Sequence, residues 1–162
     1  MSHHAKRGRR LTPARPADGK PATIFQSILD GKIPSTKVYD DELIYAFRVR
    51  ERAPTCGPCR SARRPQDIAP TAKTHIVIIP KDRDGLTGIS QAEERHAAVL
   101  GHLMVKAAEI AKAEGLAQGY RLVVNEGEQG CQSVAHLHVH LIGGQQLTWP
   151  PGTGKAEGSM TG

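Results

Sequence analysis

The chain has 162 residues, 38% of them hydrophobic, which suits one well-packed domain and is short for two. It has no apolar run near the roughly 20 residues of a membrane helix, and the segment Met1–Arg10 lacks the apolar stretch of a signal peptide, so a soluble intracellular protein is expected. Three cysteines, Cys56, Cys59 and Cys131, are an odd number and too few for a disulfide scaffold, so reduced thiols are expected.

The net charge is +6, and it sits at the margins. Lys6, Arg7, Arg9, Arg10, Arg15 and Lys20 against Asp18 give residues 1–20 a charge of +5; Arg48, Arg50, Arg52, Arg60, Arg63 and Arg64 against Glu51 give 48–66 another +5. The remainder is mildly acidic, at −4, which argues against a nucleic-acid-binding fold beyond weak, salt-dependent contacts of the basic arms. Residues 1–21 read as a basic disordered tail and 153–162 as a flexible, Gly-rich one. Lys6–Arg10 also has the composition of a nuclear-import patch, a weak signal beside the solvated reading.

In chain order, Thr23 and Gln26 have capping-box spacing and open a short helix whose apolar residues are Phe25, Ile28 and Leu29 and whose stop is Gly31. Residues 36–39 and 43–47 flank Asp40-Asp41-Glu42 as a hairpin. Residues 49–66 have no periodic pattern and read as an inserted basic loop. Its Cys56-Gly57-Pro58-Cys59 has a redox-motif spelling in a loop context, so a free surface pair is the plainer reading.

Residues 74–80 are a continuous β-branched run, as in a central strand buried on both faces. Ser90 and Glu93 have capping-box spacing and open a long helix ending at Gly115, with a wide apolar face able to cover a sheet and meet a partner subunit. On it His96 is expected to be solvated and His102 to be a satisfied packing residue. Residues 120–125 and 136–142 are strands with a Gly-containing loop, 126–133, between them. The order α-β-β-β-α-β-β with hairpin-length links predicts an α+β fold built on an antiparallel five-stranded meander sheet with one short and one long helix.

The chemistry concentrates in His136-Leu137-His138-Val139-His140. In a strand the three imidazoles share one face and the apolar residues the other. As packing this is unusual, because each ring needs polar partners. A metal is the rival reading, but His136 and His140 are roughly 13 Å apart at about 3.3 Å per residue, and no Cys or carboxylate stands beside them. Phosphorus chemistry fits better, since a neutral imidazole can attack in line and then leave. Gly130, Gln132 and Ser133 precede the run, where backbone N–H groups and a hydroxyl can grip phosphate oxygens.

The stretch Gln132-Ser133-Val134-Ala135-His136-Leu137-His138-Val139-His140-Leu141-Ile142-Gly143-Gly144, followed by Trp149-Pro150-Pro151-Gly152, resembles the signature of the histidine triad (HIT) family, in particular its nucleotide-binding, Hint-like branch of purine nucleoside phosphoramidases. The likeness extends through Thr23-Ile24-Phe25, Lys32-Ile33-Pro34, Gly101-His102-Leu103-Met104 and 119–127, nearly all of a domain at 22–152.

The resemblance implies a homodimer joined by the long helix and C-terminal segment, no metal and no cofactor, and a cytoplasmic enzyme acting on purine nucleotides. It implies that His138 is the nucleophile, His136 orients it through its backbone carbonyl, and His140 and His75 complete the histidine network. Ser133 would assist the departing amine, Asn125 and the Cys131-Gln132 segment would lie on the phosphate side, and Phe25, Ile28, Ile33 and Phe47 would sandwich the base. Asp67 would hold the ribose hydroxyls, and Trp149 would reach across the dimer to the leaving-group side. Two departures stand out: the insert 49–66 between Phe47-Arg48 and Asp67, and Cys131 where a glycine is usual. Two alternatives share the triad: a dinucleoside polyphosphate hydrolase, and a purine-nucleotide-binding regulator with weak turnover.

Overall fold

The structure, a computed structural model, describes residues 22–49 and 71–148. The tails, Asp67, Trp149 and all of the insert but Val49, with Cys56 and Cys59, lie outside the described residues.

Thr23 caps α1 (Ile24–Leu29): its hydroxyl accepts the Gln26 N–H at 3.3 Å, and Gly31, at φ +72°, turns the chain out of the helix. The hairpin follows as β1 (Thr36–Asp40) and β2 (Ile44–Arg48). One Asp41 carboxylate oxygen accepts the N–H groups of Leu43 and Ile44, which fixes the turn. β3 (Thr74–Pro80) is buried along its whole length, as its apolar run demands. α2 (Ala97–Ala113), β4 (Tyr120–Val123) and β5 (Val139–Gly143) complete the domain.

All neighbouring strands are antiparallel, in the order β1-β2-β3-β5-β4. The sheet is therefore not a strict meander: β5 enters between β3 and β4, because the chain from Lys81 to Gly119 is a crossover through α2 and not a hairpin-length link. α2 also starts later than the Ser90/Glu93 spacing suggests. Residues Ile89–Gln91 and Glu94–His96 form two 3₁₀ turns, the capping box joins Glu93 to His96, and Ser90 instead bonds the Glu126 carboxylate at 2.8 Å. His96 is buried rather than solvated, its Nδ1 accepting the Glu93 N–H at 2.9 Å and its Nε2 3.2 Å from the Asp84 carbonyl. His102 pairs with Asp41 at 2.7 Å, a satisfied packing residue as expected.

The sheet has two occupied faces. Leu103, Ala107, Ile110 and Ala111 of α2 cover Ile44, Ala46, Ile76, Ile78, Val139 and Leu141. On the other side Phe25 of α1 meets Phe47, Val77 and Ile79. Among the described residues no helix is long and apolar enough to cross a membrane.

Candidate active site

The histidines lie on the α1 side. Phe25 sets its ring edge-on against His136 and His138, with centroids 5.8 and 5.1 Å away, and His138 and His140 are 5.0 Å apart. The last strand, however, begins at Val139 and not at His136. Ahead of it the backbone bonds elsewhere: the His136 N–H turns to the Val134 carbonyl at 2.9 Å and the Leu137 N–H to the Leu86 carbonyl at 2.9 Å. Only His140 is positioned by the strand ladder; His136 and His138 are positioned by the bend that leads into it.

Each ring's partners assign its protons. A carbonyl can only accept, so His138 Nδ1, 2.7 Å from the His136 carbonyl oxygen, carries the hydrogen and its Nε2 keeps the lone pair. His136 donates from Nε2 to the Pro80 carbonyl at 2.8 Å and faces the Thr23 hydroxyl with Nδ1 at 3.5 Å. The Thr71 N–H donates to His75 Nδ1 at 3.3 Å, so His75 donates from Nε2 to His140 Nδ1 at 2.9 Å. The remaining hydrogen of His140 then sits on Nε2, as a donor.

Burial disfavours charge on this cluster. It pushes His138 and His75 below the ordinary imidazole value, for His138 against a partly compensating bond to the His136 carbonyl. It pushes His140 down to about 4, with His138 and His75 adding to the effect. At neutral pH the site therefore offers neutral imidazoles, and His138 keeps its Nε2 lone pair for attack.

Beside His75 and His140 a cavity of about 280 Å³ is lined also by Thr71, Val123, Asn125, Cys131, Ser133 and Ile142. Asn125, Cys131 and Ser133 thus share this cavity with His75 and His140; His136 and His138 are not among its lining residues. Gln132 does not take the expected role: its Oε1 accepts the Gly127 N–H at 3.0 Å, its Nε2 bonds the carbonyls of Thr87 and Val134, and its own N–H goes to the Gly127 carbonyl. It braces the loop and has nothing left for a phosphate. The Cys131 N–H is likewise spent on Glu128, while Cys131 itself is exposed and held at φ +58°. Gly130 has a steric reason, since a Cβ there would overlap the Glu126 carbonyl.

Of the four base-side candidates, Phe25 and Phe47 are spent on packing, with ring centroids 5.9 Å apart; Ile28 is half-buried against their cluster and Ile33 is exposed. Sequence reasoning missed Thr23 and Arg83 as contacts of the triad segment. Thr23 read as a cap alone, and nothing in the local pattern marks Arg83.

Residues 63–147 match the model of the HIT domain. The chain is 50% identical over 139 residues to the adenylylsulfatase HINT1 of Arabidopsis thaliana, covering 86% of this chain and 81% of that protein. It is 52% identical over 130 residues to the 14 kDa zinc-binding protein of Zea mays, 80% of this chain and 88% of that one. A HIT family hydrolase from Legionella pneumophila has a solved structure that superposes with a TM-score of 0.66 at 39% identity, over 81% of this chain and all of that one. A histidine triad protein from Clostridium difficile gives 0.62 at 32% identity, over 77% of this chain and 92% of that chain.

The maize protein's name raises zinc, which the described donors do not fit. No three His, Cys, Asp or Glu side chains among them converge, and His75 spends both ring nitrogens on hydrogen bonds. Sequence, fold and the ordering of the imidazoles lead to one placement: the chain belongs to the HIT domain family of hydrolases, on its nucleotide-binding, HINT-like branch.

Proposed function

We propose that the chain hydrolyses purine nucleoside 5′-phosphoramidates to the nucleoside monophosphate and an amine, through a nucleotidyl intermediate on His138. The observation that carries this reading is the His138 Nδ1–H bond to the His136 carbonyl, which leaves a neutral Nε2 lone pair in a buried site. In-line attack forms the Nε2–P bond as the P–N bond breaks. The amine must take up a proton as it leaves, and Ser133 and His140, which line the cavity beside His75, carry hydrogens that can supply it. Water then cleaves the phosphoryl–histidine bond.

Asn125 contacts the phosphate side, Ile28 and Ile33 the base, Asp67 the ribose and Trp149 the leaving group from a second copy. The dimer forms through α2, whose Met104 and Val105 are about half exposed, and through the C-terminal segment. The protein works in the cytoplasm, and the composition of Lys6–Arg10 also suits nuclear import.

The alternative substrate, a dinucleoside polyphosphate, would use the same histidines with a second nucleotide as the leaving group. The Arabidopsis relative's name favours a second small leaving group, sulfate, which would depart without a proton. The test compares kcat/KM for adenosine 5′-phosphoramidate, adenosine 5′-phosphosulfate and diadenosine tri- and tetraphosphate. The phosphoramidate should exceed the dinucleotides by at least about 100-fold, on the order of 2.7 kcal/mol. Mass spectrometry of a quenched reaction should show the nucleotidyl adduct on His138. Nucleotide affinity without turnover would mark a binding regulator instead.

A further inference from the structure

Between β3 and the first 3₁₀ turn, residues 80–87 run beside the segment that leads into the nucleophile and hold it at four points. The Pro80 carbonyl takes the His136 ring at 2.8 Å, Arg83 Nη1 donates to the Ala135 carbonyl at 3.3 Å, the Leu86 carbonyl takes the Leu137 N–H, and the Thr87 carbonyl takes Gln132. Arg83 is the charged member, and it is only 4% exposed. Burying a guanidinium is expensive where an aliphatic side chain would fill the same space, so polar partners are what hold Arg83 there, the Ala135 carbonyl among them.

Ala135 is the centre of a three-residue turn closed by the His136 N–H and the Val134 carbonyl, and its φ is not positive, as in an inverse γ-turn. Its own carbonyl points out of that turn to Arg83. The next carbonyl along the chain, that of His136, receives the His138 Nδ1–H. The His136 carbonyl lies in one peptide plane with the Leu137 N–H, which the Leu86 carbonyl holds at 2.9 Å, so its aim is set from two sides: by Leu86 in its own peptide unit and by Arg83 one unit earlier.

We propose that Arg83 is a positioning residue for His138: by holding the Ala135 carbonyl it fixes the turn on one side of the His136 carbonyl while Leu86 fixes the other, and through that carbonyl it sets the tautomer and direction of the nucleophile. The kinetic part rests on the function proposed above; the tautomer part does not.

The full chain is compared with R83M and R83K. In R83M, kcat for adenosine 5′-phosphoramidate should fall about 100-fold, the cost of roughly an ångström of misplacement, while KM and the Kd for AMP stay within about threefold. The acidic limb of kcat/KM should move to lower pH, since the bond to the His136 carbonyl favours the protonated ring and is weakened. Two-bond ¹H–¹⁵N spectra, with H138N to assign the signals, should show one His138 tautomer in the wild type and a mixture in R83M. R83K keeps the charge and a donor on a shorter reach, and should recover to within about tenfold of wild-type kcat.

Wild-type kcat in R83M, or an unchanged single tautomer with the loss shared between KM and thermal stability, would overturn the proposal. Should R83M fail to fold, R83K decides: a roughly tenfold kcat deficit with a tautomer mixture supports it, and full kcat with a single tautomer overturns it. A wild type that does not turn over the phosphoramidate defeats the function alone, because the spectra need no substrate.

Discussion

The central strands present two surfaces of opposite character. Toward α2, Ile44, Ala46, Ile76, Ile78, Val139 and Leu141 pack among hydrophobic side chains, and each contributes by leaving water. Toward α1, Phe47, Val77 and Ile79 share their face with His75, His138 and His140, whose polar atoms must be partnered as they are buried. Alternation lets one strand serve both: Val139 and Leu141 look one way while His140, between them, looks the other. Stability and chemistry are therefore separable by a single residue step, and substitutions on the two faces should fail in different ways.

The largest effect should come from His138→Ala, which removes the attacking nitrogen but few ground-state contacts. Turnover should drop by four or more orders of magnitude, about 5 kcal/mol in barrier, with AMP affinity within about tenfold by titration calorimetry. Turnover near wild type would end the separation of roles.

On the opposite face Ile78→Ala should cost about 2–5 kcal/mol in urea unfolding, because Ile78 is fully buried against α2, while kcat of the folded fraction stays near wild type. A larger loss in kcat than in stability would mean the faces are coupled.

The two faces should also answer differently to pH. His75, His138 and His140 are depressed below 6.5 in the fold, His140 to about 4, so below pH 6.5 the unfolded chain binds more protons than the native one. Their contribution is present in full above about pH 6.5 and is lost as pH falls toward 4. Urea midpoints across pH 7.5 to 4.5 should fall in the wild type and fall less steeply in His140→Asn, whereas Ile78→Ala should lower the whole curve without changing its slope.

The smallest effect concerns Cys131, which sits in the left-handed region at φ +58°. Cys131→Gly relieves that strain but frees the unfolded chain, for a net gain of about 0.5 kcal/mol by thermal unfolding. A loss would show that the thiol packs usefully against the cavity.

Local signals read well from sequence. The Thr23 cap, the Asp41 turn and the β-branched run at 74–80 each depend on neighbours within a few residues, and each appears in the structure, whereas strand alternation reaches only His140 of the three histidines. What failed depends on distant partners. His96 looks like any helix-surface histidine until Asp84 receives it, and Ser90 caps no helix because Glu126, 36 residues away, holds it. Gln132 and Arg83 are placed by Thr87 and Ala135 respectively, pairings no local pattern encodes. The strand order eluded the reading because a helix of α2's length is compatible with either neighbour for β3.

That order has a consequence for how the molecule is made. β5 is the strand that carries the chemistry, and it is also the wedge between β3 and β4, which have both left the ribosome before it does. Until residues 139–143 arrive, β3 has an open edge toward the missing strand and β4 has no ladder at all, so the nascent chain holds a three-stranded sheet with an adhesive flank. Closing the sheet and delivering His140 are one event. A chain stopped short of Val139 is thus not a slow enzyme but an unfinished sheet, vulnerable to pairing with its neighbours, and a synthetic 139–143 peptide is the natural reagent to cap it.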